Sequence, residues 1–433
     1  MSSHLSKNGL YAWYVAVLLS LGHLVSFLDR FIMGLVLVPV KTEFGLSDTQ
    51  LGLLHGTGFV ILYVLAALPL GRLADTGNRR NLIVIGIIFW SLATAACGLA
   101  DSFGSLFAAR VGVGLGEASL VPAAMSLLAA YFSRDKLCRA VGTFTMGASL
   151  GSSVAFIGGG AILAVLVAQG GMDIPGVGHL TPWKALFVLT SIPGFVLAVL
   201  LLTVREPVRV EDTVVAKPGV RVAFRYISDH LPAYGWHTIA SVSVIILVQS
   251  YAAWMPTFYV RSFGLSPAEA GIVVGTVMLI AAPLGHLAGG TLTDMFHRRG
   301  IESAPGLVIA LMLVCGIAPA VVFCTTRNLT LSIAAMAAFK LCLSAAAPPS
   351  LAGIQMITPE RLRGIMSACF LGVVTLVAVG MGPTLIGLIT DYVFGDESAL
   401  SSSLLLMTLI VTTVGAATAW ISRPPVKAAM AKI

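Results

Sequence analysis

GRLADTGNRR occupies positions 71–80 and GTLTDMFHRR positions 290–299. Glycine, aspartate and both arginines align without a gap at an offset of 219 residues, about half of the 433-residue chain. The same offset relates FGLSDTQLG (44–52) to FGLSPAEAG (263–271). Chance resemblance between greasy segments does not place polar and glycine matches twice at one offset. The chain reads as one unit written twice.

Composition says what kind of unit. Hydrophobic residues make up 57% of the chain, charged residues only 10%, and mean hydropathy is +0.95. A water-soluble domain carries about a quarter charged residues. So apolar a chain cannot cover a globular surface with polar groups, and its solvent must be lipid. The net charge is +7, but in a membrane protein the position of charge matters more than its sum. No nucleic-acid partner is expected. The six cysteines are scattered singly, without a CxxC pair, and read as small buried hydrophobes. Neither a disulfide framework nor a metal site is expected, and no cofactor.

Runs long enough to span a bilayer, about 20 apolar residues each, number twelve: 12–40, 50–73, 81–99, 104–131, 139–168, 184–204, 235–260, 268–293, 304–325, 329–357, 364–390 and 401–422. The apolar stretch from Tyr11 to Val40 far exceeds a signal-peptide core, so it reads as an uncleaved first helix. The longest gap splits the chain into a six-helix bundle at 1–204, a cytoplasmic linker at 205–234 and a second bundle at 235–433. Within the linker, GVRVAFRYISDH (219–230) reads as a short interfacial amphipathic helix. With the N-terminus cytoplasmic, nineteen of the 26 lysines and arginines fall on the cytoplasmic side and four (Lys41, Lys184, Arg261, Arg327) on the other. That bias puts both termini in the cytoplasm of a multi-pass protein of the inner or plasma membrane. Duplicated six-helix halves are the usual architecture of secondary transporters, with the substrate site at midplane between them.

The repeated loop resembles the signature loop of the major facilitator superfamily, with two departures. Thr76 stands where the superfamily usually has a basic residue, and Asn78 where it has glycine; asparagine also tolerates a left-handed turn. LDRF (28–31), NRRNLI (78–83), FWSL (89–92) and RVGVGLGEAS (110–119) narrow the resemblance to the spinster family over residues 20–150. The resemblance implies a monomeric all-α membrane protein, a bacterial member of the family, with two six-helix halves related by pseudo-two-fold symmetry. It also implies a lipid-like or amphipathic substrate, since eukaryotic spinsters export sphingosine-1-phosphate and lysophospholipids. In the superfamily the loop latches the two halves at the cytoplasmic mouth. That assigns gate roles to Gly71, Asp75, Arg79, Arg80, Asp294 and Arg298, with Arg361 and Arg363 as partners for Asp75.

Five charges fall inside helices: Asp29, Arg30, Arg110, Glu117 and Lys340. Each costs at least about 2.5 kcal/mol at membrane depth. At 1.5 Å per residue, Asp29, Glu117 and Lys340 lie about 16–20 Å deep, near the midplane, and Arg110 about 9 Å. A structural ion pair between helices is the alternative role for each, and for Arg110 it weighs as much as a functional one. Burial favours a protonated carboxyl and a nearby guanidinium the charged form. A carboxyl whose neighbours change during transport therefore changes its proton affinity. Asp29, then Glu117, are the candidate proton sites. Arg30, Arg110 and Lys340 suit an anionic head group, with Glu117 a further substrate contact. Gln249, Tyr251 and Trp254, in QSYAAWMPTFY (249–259), offer a wall for an apolar tail. Tyr259 is expected in the interfacial aromatic belt instead. The glycines of GVGLG (112–116) have no preceding strand and serve helix packing.

These features point to a proton-coupled secondary carrier for an amphipathic substrate. A carrier that exports small polar metabolites or drugs is the alternative. A lipid-acting enzyme would need a nucleophile or metal motif, and neither HExxH nor GxSxG occurs; a scramblase would lack proton-driven transport.

Overall fold

Pro39 decides where the first helix ends. A proline ring clashes with the carbonyl four residues earlier, here Leu35. In the computed structural model, which describes residues 9–207 and 220–431, the helix Leu10–Leu35 stops there and a shorter helix, Leu37–Phe44, follows after Val36. The first span is thus shorter than the run to Val40 suggests. Among the described residues, twelve helices are long and apolar enough to cross a bilayer: Leu10–Leu35, Asp48–Ala74, Arg79–Gly98, Phe103–Tyr131, Arg139–Ala168, Pro182–Leu201, Leu231–Phe263, Pro267–Arg298, Ala304–Thr325, Leu329–Met356, Arg363–Phe394 and Glu397–Met430. They are called the first to twelfth spans below.

The repeated FGLS has a structural cause. Gly45 and Gly264 take φ of +64° and +69°, a left-handed conformation that ends the preceding helix and that glycine adopts without penalty. Ser47 and Ser266 then open the next helix with a capping box. Ser47 Oγ accepts from Gln50 N at 3.2 Å while Gln50 Oε1 accepts from Ser47 N at 2.9 Å. Ser266 Oγ accepts from Glu269 N at 3.2 Å, and Glu269 Oε2 from Ser266 N at 2.8 Å. Both stretches satisfy the backbone donors of a helix start.

Two compact units result. The first comprises residues 1–210, 255–260 and 264–276; the second 211–254, 261–263 and 277–433. In the first, a two-stranded antiparallel hairpin, Met172–Ile174 with Gly178–Leu180, joins the fifth and sixth spans. Its spans pack so closely that a Cβ on Gly114 would fall 1.9 Å from the Phe59 carbonyl oxygen and one on Gly116 2.7 Å from the Trp90 Cβ. The glycines of GVGLG therefore serve packing, as read from the sequence. In the second unit, the amphipathic segment forms the helix Val220–Asp229. Tyr226 and Ile227 pack from it against a buried cluster that includes Tyr234, Ile354, Ile357 and Met366.

Some expectations need correction. Tyr259 is fully buried, so it does not stand in an aromatic belt. Asn78 is extended (φ −78°, ψ 111°) and caps the third span through its side chain, accepting from Asn81 N at 2.8 Å; no left-handed turn is used. Among cysteines with described side chains, only Cys97 is buried; Cys315 is exposed and the others are half-buried. The Cys138 side chain lies outside the described residues.

Candidate functional site

A polar cluster is buried in the first unit, where the first, second, third and fourth spans converge. Asp29, Arg110 and Glu117 are at most 1% exposed, and Arg30 is buried with them. Glu117 is the last residue of a helix that breaks immediately after it, at Ala118–Ser119. Its Oε2 accepts from Ser26 Oγ at 2.6 Å and from Arg30 Nη2 at 2.9 Å, while Oε1 has no partner. The Arg30 guanidinium lies over the rings of Phe59 (4.1 Å), Phe27 (4.7 Å) and Tyr63 (5.6 Å). Aromatic faces attract a cation that has lost its water.

Arg110 spends its donors differently. Nε donates to the Leu54 carbonyl at 3.3 Å, Nη1 to the Asp29 carbonyl at 3.1 Å and Nη2 to the Arg30 carbonyl at 3.4 Å. Leu54 belongs to a π-helical turn, Leu53–Thr57, and such a turn displaces carbonyls from the regular helical ladder. Arg110 thus clamps the backbones of the first and second spans. This geometry is that of a positioning residue.

Asp29 stands next to this clamp with neither carboxyl oxygen hydrogen-bonded. Trp90 and Thr94, one turn apart on the third span, approach the carboxyl, yet Trp90 Nε1 and Thr94 Oγ1 make no bond of acceptable geometry. His55 from the π-turn is also buried, 6.2 Å from the Phe31 ring, with Nδ1 unpartnered. Sequence reasoning gave no role to Ser26, His55, Trp90 or Thr94. Trp90 and Thr94 were legible as a polar pair at i, i+4 in an apolar helix; His55 was not, because a π-turn breaks the periodicity that would place it.

The remaining candidates fall elsewhere. Tyr251 is buried in the second unit, its hydroxyl 2.5 Å from Thr408 Oγ1 and its ring 4.8 Å from Phe339. Trp254 Nε1 donates to the Pro383 carbonyl at 2.8 Å. Both rings tie the seventh span into helix packing. Gln249 and Lys340 are half-buried, on the seventh and tenth spans.

At the end of the first unit that carries the repeated loop, Arg79 Nε donates to Glu206 Oε1 at 2.7 Å, and Arg80 N to Glu206 Oε2 at 3.0 Å. Arg79 Nη1 also reaches the Ser126 carbonyl at 3.1 Å, and Arg80 Nη1 that of Val204 at 3.2 Å. Glu206 was missed. The Asp75 side chain lies outside the described residues. A Cβ on Gly71 or Gly290 would meet no close neighbour. Asp294, Arg298, Arg361 and Arg363 are exposed, and Arg363 Nε donates to the Thr358 carbonyl at 3.3 Å.

The chain as a whole has relatives among known proteins. The chain matches the Major Facilitator Superfamily over residues 19–318. It is 27% identical to an MFS-type efflux pump of Mycolicibacterium smegmatis, over 97% of this chain and 95% of that protein. Protein spinster of Drosophila melanogaster is 26% identical over 72% of this chain, which spans 52% of that longer protein. The crystal structure of a bacterial homologue of the human lysosomal transporter Spinster superposes with a TM-score of 0.80 at 25% identity, covering 98% of both chains. The fold and the relatives are those of membrane transporters, not enzymes. The chain belongs to the Major Facilitator Superfamily, and within it resembles the spinster proteins.

Proposed function

We propose that the protein is a proton-coupled secondary carrier of an amphipathic, lipid-like substrate, with Asp29 as its proton site. The observation that carries the proposal is the Asp29 carboxyl, fully buried with both oxygens unpartnered. Arg110 holds the carbonyl of the same residue, so a change of charge at Asp29 acts on the clamp that positions the first span. Glu117 is the second titratable group, and its pair with Arg30 would weaken on protonation. The amphipathic substrate rests on the spinster resemblance. A second reading, an efflux carrier for small polar metabolites or drugs, draws on the full-length likeness to an efflux pump.

Asp29→Asn keeps the shape of a protonated aspartate and removes the exchangeable proton. In proteoliposomes, pH-gradient-driven transport should fall to the level without a gradient, while gradient-independent exchange persists. Full gradient-driven transport would refute Asp29 as the proton site. The proposed orientation puts Arg225 in the cytoplasm and Asp101 on the opposite face of the inner membrane. Impermeant reagents should label Arg225→Cys and Asp101→Cys from opposite sides; labelling from one side would overturn it.

A further inference from the structure

The eleventh and twelfth spans each meet the seventh through a glycine, but at different heights. A Cβ on Gly415 would lie 2.7 Å from the Ser243 Cβ, and one on Gly382 2.8 Å from the Ser250 Oγ and 3.2 Å from the Ile246 carbonyl oxygen. Ser243 and Ser250 are two turns apart, about 10 Å along the helix. Beside these contacts the three spans enclose a groove of about 390 Å³. Val242 and Ile246 form its floor, Val373 and Val377 one wall, Ile410 and Val414 the other. Val377 belongs to the π-helical turn Thr375–Val379, and such a turn widens the helix locally.

The groove offers hydrocarbon and little else. Among the described residues no charged side chain lines it, and every lining side chain but Ser243 is β-branched. The buried Ser243 hydroxyl donates to the Ile239 carbonyl at 2.9 Å, so its proton is already spent. Valine and isoleucine in a helix hold one χ1 rotamer, which makes the slot preformed. Thr238 and Ile246 lie about 10 Å and about 22 Å from the start of the seventh span at Leu231. One leaflet of hydrocarbon is about 15 Å deep, so the groove runs inside it and ends near the bilayer midplane. Its rims, Ile239, Val373, Ile410 and Val414, are exposed. At the shallow end lies the amphipathic helix Val220–Asp229, whose Tyr226 and Ile227 pack against the same buried cluster as Val242 and Ile246.

Size decides the occupant. The groove extends about 12 Å from Thr238 to Ile246, and a helix about 10 Å across would need roughly 900 Å³ over that length. A second copy of the chain therefore does not fit in it, and a single hydrocarbon chain does. We propose that the groove holds one acyl chain of a bilayer phospholipid, as a bound lipid of the second unit distinct from the transported substrate. The phospholipid is the two-chain amphiphile of the surrounding bilayer: one chain lies in the groove, the second stays in the bilayer, and the head group stands level with the linker helix. The groove has no donor for a carboxylate along its length, which disfavours a free fatty acid. The site does not depend on the carrier reading, since its lining lies wholly in the second unit.

The test is photo-cross-linking of the full chain in proteoliposomes. The probe is a phosphatidylcholine with a diazirine at the middle of one acyl chain, and adducts are mapped by mass spectrometry. Val242 and Ile246 are half-buried, whereas Leu376 stands 50% exposed on the eleventh span and does not line the groove. Random contact with lipid would therefore favour Leu376. The wild type should instead give at least fivefold more adduct on Val242 and Ile246 than on Leu376. Val377→Phe and Val411→Phe fill the groove and should bring the floor down to the Leu376 level, while the Leu376 adduct persists and reports an intact second unit. A wild-type floor yield no higher than that of Leu376, or a floor yield that survives both substitutions, overturns the site. Palmitic acid with the same diazirine, at the same mole fraction, should label the floor at least fivefold less than the phospholipid; equal or stronger labelling overturns the phospholipid as occupant.

Discussion

The two halves keep the same backbone devices and have parted company in charge. Left-handed glycine followed by a serine capping box occurs at 45–50 and again at 264–269. Arg79 and Arg298 likewise share an offset of 219 residues. Yet Arg79 is buried against Glu206, while Arg298 is exposed and the position equivalent to Glu206 is Pro425. Counting the same distance from Asp29 and Arg30 arrives at Val248 and Gln249. Among the described residues, the first half therefore carries a buried set of two carboxylates and two arginines, and the second half has in its tenth span Lys340, without an ion pair. Backbone geometry is required in each copy for the copy to fold. Charge is required only where it acts, so one copy can lose it. The difference assigns fixed internal electrostatics to one half and an open cation to the other.

The hardest blow to this contrast would come from Arg110. Arg110→Met leaves three carbonyls without their donor and removes a charge that offsets Asp29 and Glu117. Removing one partner from a buried charged network costs about 3–5 kcal/mol. Lys340→Met removes a charge with no internal partner and should cost less than about 1 kcal/mol. Thermal unfolding in detergent should place R110M far below wild type and K340M near it. Equal losses would erase the distinction between fitted and open cations.

Much of this was legible beforehand. Twelve spans and two copies follow from hydropathy and spacing, which depend on residues near in sequence. The partners were not legible. That Arg110 would reach backbone carbonyls of Leu54, Asp29 and Arg30, instead of a carboxylate or a substrate, depends on a π-turn at 53–57 that LLHGT does not announce. Glu206 pairs with Arg79 across 127 residues, a distance no local pattern bridges. Tyr251 and Trp254 carried an apolar-wall expectation because aromatic residues look alike from either side of a helix. Their hydroxyl and indole partners, Thr408 and Pro383, come from the twelfth and eleventh spans.

A smaller effect separates the halves at the repeated loop. The pair of Arg79 with Glu206 is mostly buried, with side-chain exposures of 7% and 20%, and a double-mutant cycle with Arg79→Gln and Glu206→Gln should give a coupling energy of about 1 kcal/mol. Arg298→Gln should change stability by no more than about 0.5 kcal/mol, as for a surface substitution. A loss for Arg298→Gln that matches Arg79→Gln would mean that the second copy has a hidden counterpart to Glu206.

The smallest contrast lies at the opposite end of the spans and is visible only through pH. In the first half Glu43 accepts from Lys184 Nζ at 2.8 Å and Trp183 Nε1 at 2.6 Å. Partial burial pushes its carboxyl up, but the bonds from Lys184 and Trp183 and the lysine charge outweigh that and hold it below the usual range. A group depressed in the folded state stabilises above its unfolded value, about 4.3 for glutamate, and loses that contribution as pH falls through the folded value. Wild type should therefore unfold at a higher temperature than Glu43→Gln near neutral pH, by a gap that is constant above about pH 5 and closes on further acidification. In the second half Glu397 sits 3.8 Å from Arg261 and is 61% exposed on its side chain. Solvent screens so open a pair, and Glu397→Gln should track wild type at every pH. A gap for Glu43→Gln that persists unchanged at low pH would show that its contribution comes from packing, with no share from charge. A gap for Glu397→Gln as wide as that for Glu43→Gln would show that the two ends diverged less than their burial implies.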